Sequence, residues 1–106
     1  MNFKRGDLAM SKDGRIFIVE RQTAATLIGS RWYGYGGNAI PGADAIEEAL
    51  RRDARSRMPV NDAIPYTPEA QARHARHLNN LAENSKQRYE MQRAYDGWFR
   101  EQQKEG

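Results

Sequence analysis

The pattern of apolar residues changes period near residue 43, and that change limits the fold more than any other feature. Before it, short apolar runs are separated by turn residues. After it, apolar residues recur every three or four positions. A chain written in this order reads as α+β, with a small antiparallel barrel or sheet first and helices after it. The 106 residues suffice for one domain, or one small domain with an arm. With no cysteine, disulfides, thiolate metal sites and a cysteine nucleophile are all excluded. Apolar packing has to hold the chain, and only 39% of it is hydrophobic, much of that alanine, so the core is thin.

Residues 1–43 divide into four short strands. "GDLAM" is the first. Asp13-Gly14 then lies between apolar runs, which is a hairpin signal. "RIFIVER", 15–21, is the second, with Ile16 and Ile18 on one face and Phe17 and Val19 on the other. Both faces are apolar, so another element must cover the outer one. "ATLIGSRWY", 25–33, is the third. It sets Ile28, Ser30 and Trp32 against Leu27, Gly29, Arg31 and Tyr33. "GYGG" reads as a turn, because glycine admits positive φ, and "NAIP", 38–41, reads as a short closing strand.

Residues 44–106 read as helical. Over 44–57 the acids come first and the arginines last, the order that complements a helix dipole. "MPVNDAIPY", 58–66, has two prolines and reads as a linker. Thr67, Pro68 and Glu69 then form a helix start. Without a break, a helix over 68–104 would be about 55 Å long. It must bend, with Asn79-Asn80 as the natural place, or project as an arm that could pair with a second copy. Tyr95, Trp98 and Phe99 near its end need burial against the barrel or a partner.

The formal charge of +3 sits in residues 1–43, which carry six Lys/Arg against three Asp/Glu, whereas the remainder balances eleven against eleven. A mild basic bias attracts nucleic acid or an acidic protein surface. The sequence has no apolar run for a signal peptide or a membrane span, so a cytoplasmic protein that does not engage membrane is expected.

The string "KRGDLAMSKDGRIFIVE…NAIPGADAIE" resembles SH3-like small barrels. Members of that group often begin with Gly-Asp before the first strand, as Gly6-Asp7 does here, and close with a short strand, a proline and a helical turn, as in "AIPGADAI". The resemblance covers about the first 46 residues and implies a barrel of a type that binds RNA, DNA or peptides. It carries over no catalytic residue.

Candidate binding residues fall in two groups. Arg31, Tyr33 and Tyr35 of "RWYGYGG", with Arg15 and Arg21 on the neighbouring strand, can stack on bases and contact phosphates. Trp32 is the alternative in that stretch, a filler of the barrel. Arg51, Arg52 and Arg55 of "RRDARSR" can grip phosphate or an acidic patch, or can simply be a solvated helix end paired to Glu47 and Glu48. His74 and His77 are spaced like a metal pair but lack a third marked ligand. With no GxSxG, P-loop, HExxH or dinucleotide fingerprint, no enzyme, cofactor or metal site is expected.

The expectation is a small non-enzymatic binding protein, in style an accessory protein of a bacterium, phage or plasmid. Its basic and aromatic surface would engage nucleic acid, with Arg15, Arg21, Arg31 and arginines 51–57 on one face. The rivals are an inhibitor or adaptor that binds a protein or nucleoprotein complex, such as an anti-defence protein, and a homodimer held by the long helix.

Overall fold

The computed structural model describes residues 2–33, 40–80 and 85–105. Five antiparallel strands form one sheet: β1 (Leu8–Ser11), β2 (Ile16–Gln22), β3 (Thr26–Arg31), β4 (Ser56–Pro59) and β5 (Ala63–Pro65), in the spatial order β4-β3-β2-β1-β5. Three helices accompany it: α1 (Ala43–Arg52), α2 (Pro68–Asn79) and α3 (Ser85–Glu105). The class is α+β, with an N-terminal sheet and a long C-terminal helix.

The hairpin between β1 and β2 turns on Gly14, whose φ of +84° suits glycine and strains other residues. Met10 pairs with Ile16 and Ala9 with Phe17 across it. One sheet face carries Ala9, Phe17, Val19 and Leu27, which pack with Phe3 and Ala63, with Met58 and Val60 against them. The opposite face carries Met10 and Ile64, packed with Ala70 of α2 and Phe99 of α3. α1 packs on β2 and β3. Ile16, Phe17, Ile18 and Val19 are therefore all buried, and both faces of β2 are covered.

β2 bulges between Val19 and Arg21 where it pairs with β3. Gly29 sits opposite Val19, and a Cβ there would overlap the Ile18 carbonyl, so only glycine fits. Both edge strands end in proline, Pro59 and Pro65, which blunts them toward further pairing.

The structure differs from the sequence reading at three places. The helix expected over 44–57 is α1, which ends at Arg52, because Asp53 turns extended at φ −159°. The expected linker 58–66 carries the end of β4, a 3-10 turn (Val60–Asp62) and β5. Strands of three or four residues show almost no periodicity, and their partners are distant: Leu27 pairs with Met58, and Met10 with Ile64. β4 and β5 take the edges where a closing strand at 38–41 was expected; Ile40 and Pro41 are in no strand. Residues 34–39, which include Tyr35 and the expected glycine turn, lie outside the described residues.

The helical run from Pro68 is divided. α2 begins as expected, with the Thr67 hydroxyl accepting from the Ala70 N–H at 3.0 Å, and it ends at Asn79. α3 runs back along it: Arg73 meets Tyr95 and Trp98, and His77 meets Gln92. Those pairings descend α2 as they ascend α3, so the two helices are antiparallel. Phe99 is 2% exposed and Tyr95 is 1% exposed, both packed within the chain. Among the described residues, no helix is long and apolar enough to cross a membrane.

Candidate nucleic-acid interface

A cleft of about 720 Å³ opens where the β1–β2 turn, the end of β3 and the 3-10 turn meet. Its floor is apolar, from Phe17 and Met58, so the cleft opens directly onto the core cluster. Arg15, Arg31 and Arg57 line it together with Trp32 and Tyr33. Tyr33 is 77% exposed. Trp32 is half-buried and lies at this cleft, whereas the barrel-filling reading buried it in the core on the face of Ile28.

Two carboxylates share the cleft, Asp13 from the hairpin turn and Asp62 from the 3-10 turn. Asp13 is committed: it accepts from the Ser11 hydroxyl and pairs with Arg15 at 3.1 Å. That pair is solvent-exposed, where such pairs contribute about 0–1 kcal/mol, so a phosphate can displace it. Among the described residues, Arg31 and Arg57 have no carboxylate partner.

The structure splits the sequence-predicted set. Arg15, Arg31 and Tyr33 come together in the cleft. Arg21 does not: it pairs across the strands with Ile28, which pairs in turn with Arg57, so this row shares the face opposite Arg31, whose strand partner is Phe17. Arg52 forms an ion pair with Glu48 one helical turn away, as the solvated-helix reading held. Arg51 and Arg55 are exposed and outside the cleft. The expectation of one continuous basic face therefore fails, because the bulge in β2 reverses Arg21. Asp62 was missed, and Arg57 was expected only as the last of the arginines at 51–57. Arg57 lines the cleft from the edge strand β4, where the sequence marks no strand, although its pairing with Ile28 starts its side chain on the sheet face opposite Arg31.

A second cleft, of about 520 Å³, lies behind the same hairpin turn, against α2 and α3. Ser11, Asp13 and Asp62 line both clefts, so the hairpin turn and the 3-10 turn stand between them. The Tyr95 hydroxyl donates to the Lys12 carbonyl at 2.9 Å and meets His74 Nδ1 at 3.1 Å. A phenol has one proton, so Nδ1 must carry the hydrogen of the second bond. His77 stacks on the Tyr95 ring, with centroids 4.4 Å apart, and its Nε2 reaches Gln92 Oε1 at 3.2 Å. Burial pushes His74 below the ordinary histidine value; His77 adds to that shift and Asp13 opposes it. Burial pushes the Tyr95 phenol up, with Arg73 opposing and Asp13 and Asp96 adding. For Asp96 burial acts upward, but hydrogen bonds from Gln92 and Lys12 and the Lys12 and Arg100 charges bring the net shift downward. Both histidines are thus engaged in packing. Among the described residues, no three His, Asp or Glu converge as metal ligands.

No family model, no curated protein and no solved structure matches this chain. Its function is therefore argued from the chemistry of the cleft.

Proposed function

We propose that this protein is a small cytoplasmic nucleic-acid-binding protein that works by association, without a catalytic step, and that the cleft of Arg15, Arg31, Arg57 and Tyr33 is its contact surface. One observation carries the reading. Among the described residues Arg31 and Arg57 have no carboxylate partner, and they line the same cleft as Tyr33, a ring that is 77% exposed, together with the apolar Phe17 and Met58. Guanidiniums bind phosphate oxygens in bidentate geometry, and exposed aromatic rings stack on bases. The small-barrel reading belongs to the same proposal. It is supported by five short antiparallel strands that contribute to the Phe17 cluster, which includes Phe3 and has Met58 and Val60 packed against it.

The test is fluorescence anisotropy with a labelled mixed-sequence oligonucleotide over a salt series. Three arginine contacts give a slope of log K against log salt of about −2 to −3. Arg31→Ala and Arg57→Ala should each reduce that slope by roughly 0.7–0.9. Arg31→Ala combined with Tyr33→Ala should abolish measurable binding. Binding that survives this double change would refute the choice of surface. Capture of a defined protein complex from nuclease-treated lysate, with no oligonucleotide binding, would replace the reading with a protein partner.

A further inference from the structure

We infer that the cleft takes one unstacked base of a single strand, and that Asp62 selects bases bearing an exocyclic amino group. This rests on the nucleic-acid reading above and narrows it.

The shape argues for a single strand. The cleft is a concavity walled by the 12–15 turn on one side and the 60–62 turn on the other, and each wall carries a carboxylate, Asp13 and Asp62. A duplex presents its phosphates outward, and pressing that backbone into the cleft would bring phosphates against both acids. A single strand can keep its phosphates with the arginines and turn a base inward. The Phe17 and Met58 floor suits the face of a base and gives a phosphate nothing. The cleft volume of about 720 Å³ lies within the range of small-ligand pockets, and Tyr33 at its lip offers a ring for stacking.

The selectivity comes from Asp62. Asp13 is held by the Ser11 hydroxyl and the Arg15 guanidinium in the free protein. Asp62 forms no hydrogen bond or ion pair among the described residues. An ionised carboxylate only accepts hydrogen bonds. Cytosine, adenine and guanine offer an amino group to such an acceptor, whereas thymine and uracil offer only an N3–H set between two carbonyl oxygens that repel a carboxylate.

The experiment compares labelled 12-nucleotide oligo(dC), oligo(dA) and oligo(dT) with a mixed-sequence duplex, at one salt concentration and pH 7.5. We expect oligo(dC) and oligo(dA) to bind about tenfold tighter than oligo(dT), the worth of one hydrogen bond to a charged group. The duplex should bind more weakly than either. Asp62→Ala should weaken oligo(dC) and strengthen oligo(dT). These opposite directions separate recognition from simpler effects, because loss of a negative charge alone strengthens every oligonucleotide and misfolding weakens every one. Equal binding of dC, dA and dT, or a duplex as tight as the single strands, would overturn the inference while leaving the nucleic-acid reading in place. Binding of no probe would overturn both.

Discussion

The Tyr95 hydroxyl ties the helical hairpin to the turn that walls the binding cleft, and Tyr95→Phe tests how much that tie contributes. The ring is 1% exposed. Phenylalanine keeps its shape, so contacts with His77, Trp98 and Phe99 persist and only the polar contribution is removed. Two bonds are lost. The Lys12 carbonyl sits in an exposed turn and recovers a water, so its loss costs little. The His74 Nδ1–H, on a half-buried ring, loses the oxygen it donates to and carries most of the cost. The sum is about 1–2 kcal/mol. For a domain of this size that lowers Tm by about 5–10 °C. Circular dichroism melts at pH 7.5 measure it, and urea unfolding should show an unchanged m value, since the surface buried is the same. Adding His74→Asn closes a double-mutant cycle in which the two changes should be clearly non-additive, because one removes the partner of the other. A Tm within about 1 °C of the parent would mean the hydroxyl is not a structural tie, and the reasoning would fail.

Two further predictions concern the same hairpin. Phe99→Ala removes a ring packed on Met10, Ile64 and Ala70 and should cost about 3–5 kcal/mol, read by urea unfolding; a cost below 1 kcal/mol would mean that α3 is not docked on the sheet. Stability should also fall as pH drops below His74's ordinary value of 6.5: its folded-state value is lowered, so the unfolded chain holds more protons in that window and acid favours it. The groups facing His74 are Asp13 and Lys12 on the hairpin turn, His77 on α2 and Tyr95 on α3. His74→Asn should flatten the decline between pH 7 and pH 5 seen in thermal melts, and an unchanged decline would show that His74 is not its source.

The fold was legible where local chemistry and pattern agreed. Asp13-Gly14 marks a turn that only a hairpin explains, and the structure has it with glycine at positive φ. Thr67-Pro68 marks a helix start, and the Thr67 hydroxyl caps it. The aromatic group at the end of the chain demanded burial, and Tyr95 and Phe99 are buried. β4 and β5 were not legible. They are short, each contains a proline, and each exists because a partner strand runs beside it: β3 for the one, β1 for the other. Pairing of that kind is a tertiary property, and proline at an edge reads in the sequence as a linker.

The membership of the candidate site turned on one residue of register. Strict alternation along β2 would place Arg21 on the same face as Phe17 and Val19, beside Arg31. That face is core, so an arginine there would lose its water without a partner. The bulge after Val19 resolves the conflict: it turns Arg21 outward into the row with Ile28 and Arg57 and brings Gln22 inward, opposite Leu27. There the Gln22 side-chain oxygen accepts the Phe3 N–H at 2.8 Å and anchors the N-terminal segment over the core. A bulge needs space on the facing strand, and Gly29 provides it. An isolated glycine inside a strand pattern is a recognised mark of such a bulge. The sequence therefore held the clue to why Arg31 belongs to the cleft and Arg21 does not: it lay in Gly29, on the neighbouring strand, and not in the arginines themselves.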